Sequence, residues 1–300
     1  MQNQPVDINL AVADRDLKYY IFDWDDNILH MPTKIYLEKR LADESWVPHA
    51  VSTAVFSVIR SDRENYRPPN NDWEDAFRDF RDIDIDDENV FLRDTRAAID
   101  AVVAGQHKEG PCFAKFRQTL IEGRLFAIVT ARGHSSQVIR LAVDYFIQTV
   151  LTPEERQLML KNLRGYMACF APEANVTADA DVINFYHDHN RYHGVMSPEF
   201  RARMGQQPGA SPNTEIGKQF AIKDFVEHVI RIAHERGLEK PISVGFSDDD
   251  EGNVTAVENY IRSALAHEFS GVKFVVYYTA DPDIIDGRKV VVRGQLSLDL

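Results

Sequence analysis

Cysteine is scarce in this 300-residue chain: it has two, Cys112 and Cys169. That is too few for a disulfide framework, so both are expected as free thiols. Long apolar runs are missing as well. Nothing approaches the roughly 18 consecutive apolar residues of a membrane-spanning helix, and the opening MQNQPVDINL lacks the basic start and apolar stretch of a secretory signal. A cytoplasmic protein with no membrane partner is the expectation. Positive charge is in deficit, with 34 Lys and Arg against 47 Asp and Glu and a net charge of −13. Such a chain repels phosphate backbones, which argues against nucleic acid as a partner but leaves room for a local basic pocket. Internal repeats and low-complexity tracts are absent too. With 44% hydrophobic and 27% charged residues, the composition is that of a packed globular protein and excludes general disorder.

Apolar runs and helical periodicities alternate along the chain. Tyr19–Phe22, Leu125–Val129, Ile242–Phe246 and Val272–Tyr278 read as short buried strands. Pro111–Leu120, stopping at Gly123, then Gln137–Phe146, Ala221–Glu235 and Val254–His267 read as helices. Thr152-Pro153-Glu154-Glu155 is a capping box that opens another helix, expected to end near Gly165. Strands alternating with helices predict an α/β fold: a doubly wound, mostly parallel, Rossmann-like sheet with its ligands at the carboxyl ends of the strands.

Two spans break the rhythm. Ninety-five residues separate Leu29 from Leu125, whereas a βαβ crossover needs about 30. The surplus predicts a cap-like insertion over residues 31–89 lying over the carboxyl ends of the strands. Thr33–Arg40 and Val51–Ile59 in it look strand-like, and a short helix aligns Trp73, Phe77 and Phe80. The second span, Phe146 to Phe220, has less regular pattern and ends in a loop-like stretch at Gly205–Asn213. It reads as a second insertion, at about 147–215, bordering the same cleft, within a core formed by residues 1–30 and 90–300.

Four polar clusters fall at strand ends. Asp23 and Asp25 follow the first strand, and alternation aims both carboxylates the same way. Like charges held side by side raise each other's pKa, so the pair calls for a cation or for a nucleophile beside a proton donor. Thr130 follows the second strand, and its hydroxyl with the free amides of Ala131-Arg132-Gly133 makes a phosphate seat before a helix. Lys223 lies at the start of the helix before the ISVGF strand, and Ser247-Asp248-Asp249-Asp250 follow that strand.

In order and placement these clusters resemble the motifs of the haloacid dehalogenase (HAD)-like superfamily of phosphohydrolases: YYIFDWDDNIL for the first, LFAIVT for the second, Lys223 for the third and SVGFSDD for the fourth. The matches cover roughly Lys18–Thr33, Pro111–His134 and Gly217–Ala280. Spacing to Asp248 favours Lys223 over Lys218 as the third motif. Asp26-Asn27 departs from the Gly-Thr or Gly-Val common after the second Asp, and the choice among Asp248, Asp249 and Asp250 stays open by one position. The resemblance implies Asp23 as nucleophile forming an aspartyl-phosphate, and Asp25 as general acid and base. It implies Thr130, Ala131 and Lys223 around the phosphate, and Mg²⁺ held by Asp23, the backbone carbonyl of Asp25, Asp248 and Asp249. A small phosphorylated metabolite or nucleotide is then the expected substrate. A phosphatase of phosphoproteins or nucleic-acid ends is the alternative among enzymes, and a receiver-like phosphate-binding module is the alternative outside them. Receivers place their Lys last, whereas here Lys precedes the second acidic group.

Three further patterns read as structural. Asp82–Asp87 lacks the Gly and the final Glu of a calcium loop and reads as a solvated acidic turn. His187, His189 and His193 have no fourth ligand nearby and read as a surface or substrate-facing loop rather than a zinc site. Trp24, between the two Asp residues, alternates away from them into the core.

Overall fold

The computed structural model describes residues 16–85, 87–171, 176–206, 213–280 and 288–293. The chain enters on strand β1 (Leu17–Phe22) and then leaves the main sheet for strands β2 (Ile35–Arg40) and β3 (Trp46–Val51), helix α1 (Thr53–Ile59), strand β4 (Tyr66–Arg67), helix α2 (Trp73–Ala76) and the hairpin β5 (Asp84–Ile85) and β6 (Glu88–Asn89). It returns through helices α3 (Val90–Val103) and α4 (Phe113–Ile121) to β7 (Phe126–Thr130). Helices α5 (Ser136–Val150), α6 (Pro153–Phe170) and α7 (Asp179–His189) lead to β8 (Arg191–Gly194). Helices α8 (Pro198–Arg203) and α9 (Thr214–Glu235) precede β9 (Ile242–Asp248). Helix α10 (Glu251–Tyr260) continues through a π turn to Glu268, ahead of β10 (Val272–Tyr278) and β11 (Arg288–Arg293).

The main sheet runs β11-β10-β9-β1-β7-β8. Its first five strands in chain order pair in parallel, and β11 is an antiparallel edge. This is the Rossmann-like α/β sheet the alternation predicts. From β1 the chain steps outward to β7 and β8, then crosses back to β9 on the other side of β1. The strand order therefore reverses at β1 and β9, and ligands of open α/β sheets sit in the crevice at the carboxyl ends there.

Side-chain alternation along β1 and β7 builds the two cores. Phe22, Phe126 and Ile128 face α3–α7, where Phe116 meets Phe22, Phe126 and Phe146 edge to face at 5.0–5.3 Å. Tyr19, Ile21, Ala127 and Val129 face α9 and α10. Each buried aromatic contributes about 1.5–3 kcal/mol, so the strands are anchored on both faces. Trp24 is fully buried against Phe91 and Phe116, as alternation predicts.

Residues 31–89 form their own layer, an antiparallel sheet of order β3-β2-β4 over a small core of Ile35, Leu37, Val51 and Ala76. The strand expected at Val51–Ile59 is instead a helix. Its β-branched residues suit a strand, but the Ser52 hydroxyl accepts from Val55 N at 3.3 Å and starts α1. The strand of this stretch lies earlier, at Trp46–Val51.

Part of the span expected as a second insertion, about 147–215, is built into the core instead, while its residues Met196, Pro198, Arg201 and Thr214 line the cleft at the carboxyl ends of the strands, as expected. This span supplies β8 to the main sheet, while Met159, Leu163, Val182 and Tyr186 of α6 and α7 fill the core on one face. Pattern misses it because β8 is four residues, Arg-Tyr-His-Gly, with no apolar run. The capping box at Thr152 forms as read, but α6 continues past Gly165 to Phe170. Most of the loop expected at Gly205–Asn213 lies outside the described residues, as does the side chain of Cys169. Cys112 is a buried free thiol, pushed up to about 11 by burial.

The histidines are not in a surface loop. His187 lies in the last turn of α7 and His193 on β8, both buried, with His187 Nδ1 against the Tyr192 hydroxyl at 2.5 Å and His193 Nε2 at 3.2 Å from Asp224. Asp82 is more than a solvated turn: it accepts from Ser135 N at 2.9 Å and from Asn89 at 2.7 Å. Among the described residues no helix is long and apolar enough to cross a membrane.

Candidate active site

A cavity of about 830 Å³ opens where the strand order reverses, and Asp23, Asp25, Thr130, Ala131, Asp248 and Asp249 all line it. Three neighbouring strands, β1, β7 and β9, deliver these residues from their carboxyl ends. Asn27 locks two of those ends together. Fully buried, it donates to the Asp23 carbonyl (3.1 Å) and to the carbonyl and hydroxyl of Ser247 (3.2 and 3.1 Å), and accepts from Thr279 Oγ1 (2.8 Å). The residue that departs from the Gly-Thr pattern thus has a positioning task. Asp26, its neighbour, takes a positive φ of 53° and accepts hydrogen bonds from Thr53 of α1 and from His30.

The lysine of the site is Lys218. The residue is 1% exposed, and its Nζ donates to Asp23 Oδ1 at 2.9 Å and to Asp248 Oδ2 at 2.5 Å. Burial lowers the Lys218 pKa, but the two carboxylates outweigh it and hold the ammonium above its ordinary value. Lys223, the expected third motif, lies outside the cavity and pairs with Glu268 and Glu227. Five residues at about 100° each turn through about 500°, which is 140° around the helix, so the two lysines cannot serve one site. The misplacement comes from the start of α9. Asn213 caps that helix, accepting from Ile216 N at 2.9 Å, so the helix begins at Thr214, seven residues before the Ala221 start read from apolar spacing. The cap Asn with Glu215 in the first turn is the signal that places Lys218.

Asp23, Asp248 and Asp249 each offer a carboxylate oxygen, and these oxygens lie within 4.8 Å of one another. Burial first, then the charges of Asp248 and Asp249, raise the Asp23 pKa well above the ordinary carboxylate value, against the pull of Lys218. Asp249 is pushed up to about 8 by burial, Asp248 and Asp26. The three crowded carboxylates form an all-oxygen ligand set that suits a hard divalent cation, whose charge would bring both values back down. Asp250 does not join them: it caps α10 through Asn253 N (3.0 Å) and pairs with Arg60, just past the end of α1, at 3.0 Å.

Asp25 is held differently. Arg132 clamps it with two parallel bonds, Nη2 to Oδ1 at 2.6 Å and Nε to Oδ2 at 2.9 Å, and Thr130 Oγ1 lies 3.2 Å from Oδ2. The guanidinium is 1% exposed, lies between the rings of Phe80 and Phe91 (4.4 and 5.1 Å) and also donates to Thr33 Oγ1 at 2.8 Å. Thr33 in turn donates to Asp94 at 2.6 Å. Sequence pattern alone had left Arg132 among three residues after Thr130, since its partner lies 107 positions away.

Comparison of the chain with protein-family models, with curated proteins and with solved structures gave no match.

The buried triad makes a stability prediction. Lys218→Met leaves two buried carboxylates facing each other, which should cost about 3–5 kcal/mol. Lys223→Met, at a half-exposed surface pair, should change stability by less than about 1 kcal/mol. Urea unfolding of the two variants checks this, and equal midpoints for both would contradict the assignment of Lys218.

Proposed function

We propose that this chain is a HAD-like, metal-dependent phosphohydrolase that cleaves a phosphate monoester through an aspartyl-phosphate on Asp23. The observation that carries the reading is the convergence of Asp23, Lys218, Asp248 and Asp249 in one cavity at the reversal of strand order, beside Asp25 and Thr130. In this reading an oxygen of Asp23 attacks phosphorus in line, and the bond to the leaving oxygen breaks. Asp25 gives that oxygen its proton and then takes one from the water that hydrolyses the phosphoryl-enzyme. Arg132 sets the orientation of Asp25, and one of its bonds must open for the carboxyl to carry a proton. Thr130 Oγ1, the amides after it and Lys218 take up charge on the transferring oxygens. Mg²⁺ held by Asp23, Asp248, Asp249 and the Asp25 carbonyl would supply charge neutralisation between carboxylate and phosphate.

Residues 31–89 act in this reading as the cap. Their support is the set of ties to the strand ends: Thr53 to Asp26, Arg60 to Asp250, and the Phe80 carbonyl accepting from Gly133 N at 2.8 Å. Such a cover excludes water and favours a small substrate.

Hydrolysis of p-nitrophenyl phosphate by the purified protein with Mg²⁺ tests the proposal. Release of nitrophenol is expected, and a folded protein that turns over neither this nor any phosphorylated metabolite contradicts it. Arg132→Lys keeps the charge and loses the bidentate clamp. Misplacing Asp25 by about an ångström should lower kcat by on the order of 10², with KM little changed and the shape of the pH–rate profile altered. An unchanged kcat and profile would remove Arg132 from this positioning role.

A further inference from the structure

We infer that the leaving group carries a planar aromatic ring, docked on a wall formed by Phe56, Trp73 and Phe77; the inference rests on the phosphohydrolase reading of the same cavity. The wall starts beside the reacting carboxylates. Arg132, bound to Asp25, stacks on Phe80, whose ring centre lies 5.5 Å from that of Phe77. Phe77 meets Phe56 edge to face at 5.3 Å, and both touch Trp73 at about 6 Å. These rings pack against the fully buried core of the layer of residues 31–89, Ile35, Leu37, Val51 and Ala76, and Trp73 also carries Arg63 over its ring at 4.6 Å. The aromatics stay half-buried and line the cavity. Large apolar surface left facing a site is surface kept for a ligand.

Size and charge narrow the class. A phosphoryl group fills a small part of about 830 Å³, so the cavity has room for a leaving group of nucleoside size. Of the arginines that line it, Arg132 holds Asp25, Arg60 and Arg81 are matched by Asp250 (3.0 Å) and Glu74 (3.2 Å), and Arg201 donates to Gln206 (3.1 Å). A second anionic group on the substrate would gain little from them and would face the carboxylates of β1 and β9. A neutral ring suits the wall, because aromatic pairs gain beyond their area when set edge to face or offset. Phenols and nucleobases share this chemistry.

Calorimetric titration of the full chain with Mg²⁺ and three non-hydrolysable probes, inorganic phosphate, propylphosphonate and benzylphosphonate, tests the inference. The ring should tighten binding about two- to twelvefold over the propyl chain. Phe77→Leu, which keeps apolar volume, should erase that difference while inorganic phosphate still binds, and Phe56→Leu serves if the first variant does not fold. Equal affinities of the propyl and benzyl probes in the parent protein overturn the aromatic subsite and leave the phosphatase reading standing. Failure of all three to bind overturns the phosphoryl seat, and the inference with it. Turnover then separates the sources: kcat/KM for benzyl phosphate and for nucleoside 5′-monophosphates, whose leaving groups are alkoxides like that of glycerol phosphate, is compared with that for glycerol phosphate. A preference for either ring substrate is expected, and no preference over glycerol phosphate contradicts the inference.

Discussion

Asp23→Asn should abolish turnover while the fold survives. The change keeps the shape of the side chain and removes the nucleophile, and losing a covalent nucleophile costs several powers of ten in kcat, on the order of 10⁴ or more. It also trades a buried carboxylate for a neutral amide beside Lys218 and Asp248, so unfolding should shift far less than for Lys218→Met. The measurement is kcat on p-nitrophenyl phosphate together with a thermal melt. A folded Asp23→Asn protein with near-normal turnover would remove Asp23 from the nucleophile role.

Removing divalent cations should have an effect of similar size. Asp23, Asp248 and Asp249 crowd three carboxylates around the place an anionic phosphate must enter, with Lys218 already shared between two of them. At a separation of 4 Å two unit charges interact by about 4 kcal/mol even at an effective dielectric of 20. Binding a phosphate against that repulsion requires added positive charge. Treatment with EDTA should therefore take activity to background, and Mg²⁺ or Mn²⁺ should restore it, since both accept an octahedron of oxygens. Full activity after exhaustive chelation, with no metal found by mass spectrometry, would contradict the metal assignment.

How much of this was legible in the sequence depended on where each signal lay. Buried strands of β1, β7, β9 and β10 stood out because five to seven apolar-rich residues in a row have few other uses, and with them came Asp23, Asp25, Thr130, Ala131, Asp248 and Asp249, which line one cavity. Lys218 was missed because helix starts are set by caps rather than by apolar spacing, and Asn213 lies in a polar stretch that masks it. Arg132, Asn27 and Thr33 act through partners far away in sequence, and no local pattern marks such pairs. Strand β8 escaped because its place at the edge of the sheet is decided by pairing with β7, not by its own composition. In α1 the β-branched residues suit a strand, and the Ser52 hydroxyl that starts the helix is a single polar residue that apolar spacing does not register.

In the proposed reaction the phosphoryl group passes through Asp23. Mixing the Mg²⁺-loaded protein with excess p-nitrophenyl phosphate, quenching in acid during turnover and mapping the peptides by mass spectrometry tests it directly. One phosphoryl group on the peptide containing Asp23, absent from Asp23→Asn, is the predicted result. Turnover with that peptide unmodified, or with the phosphoryl group on another residue, would contradict it.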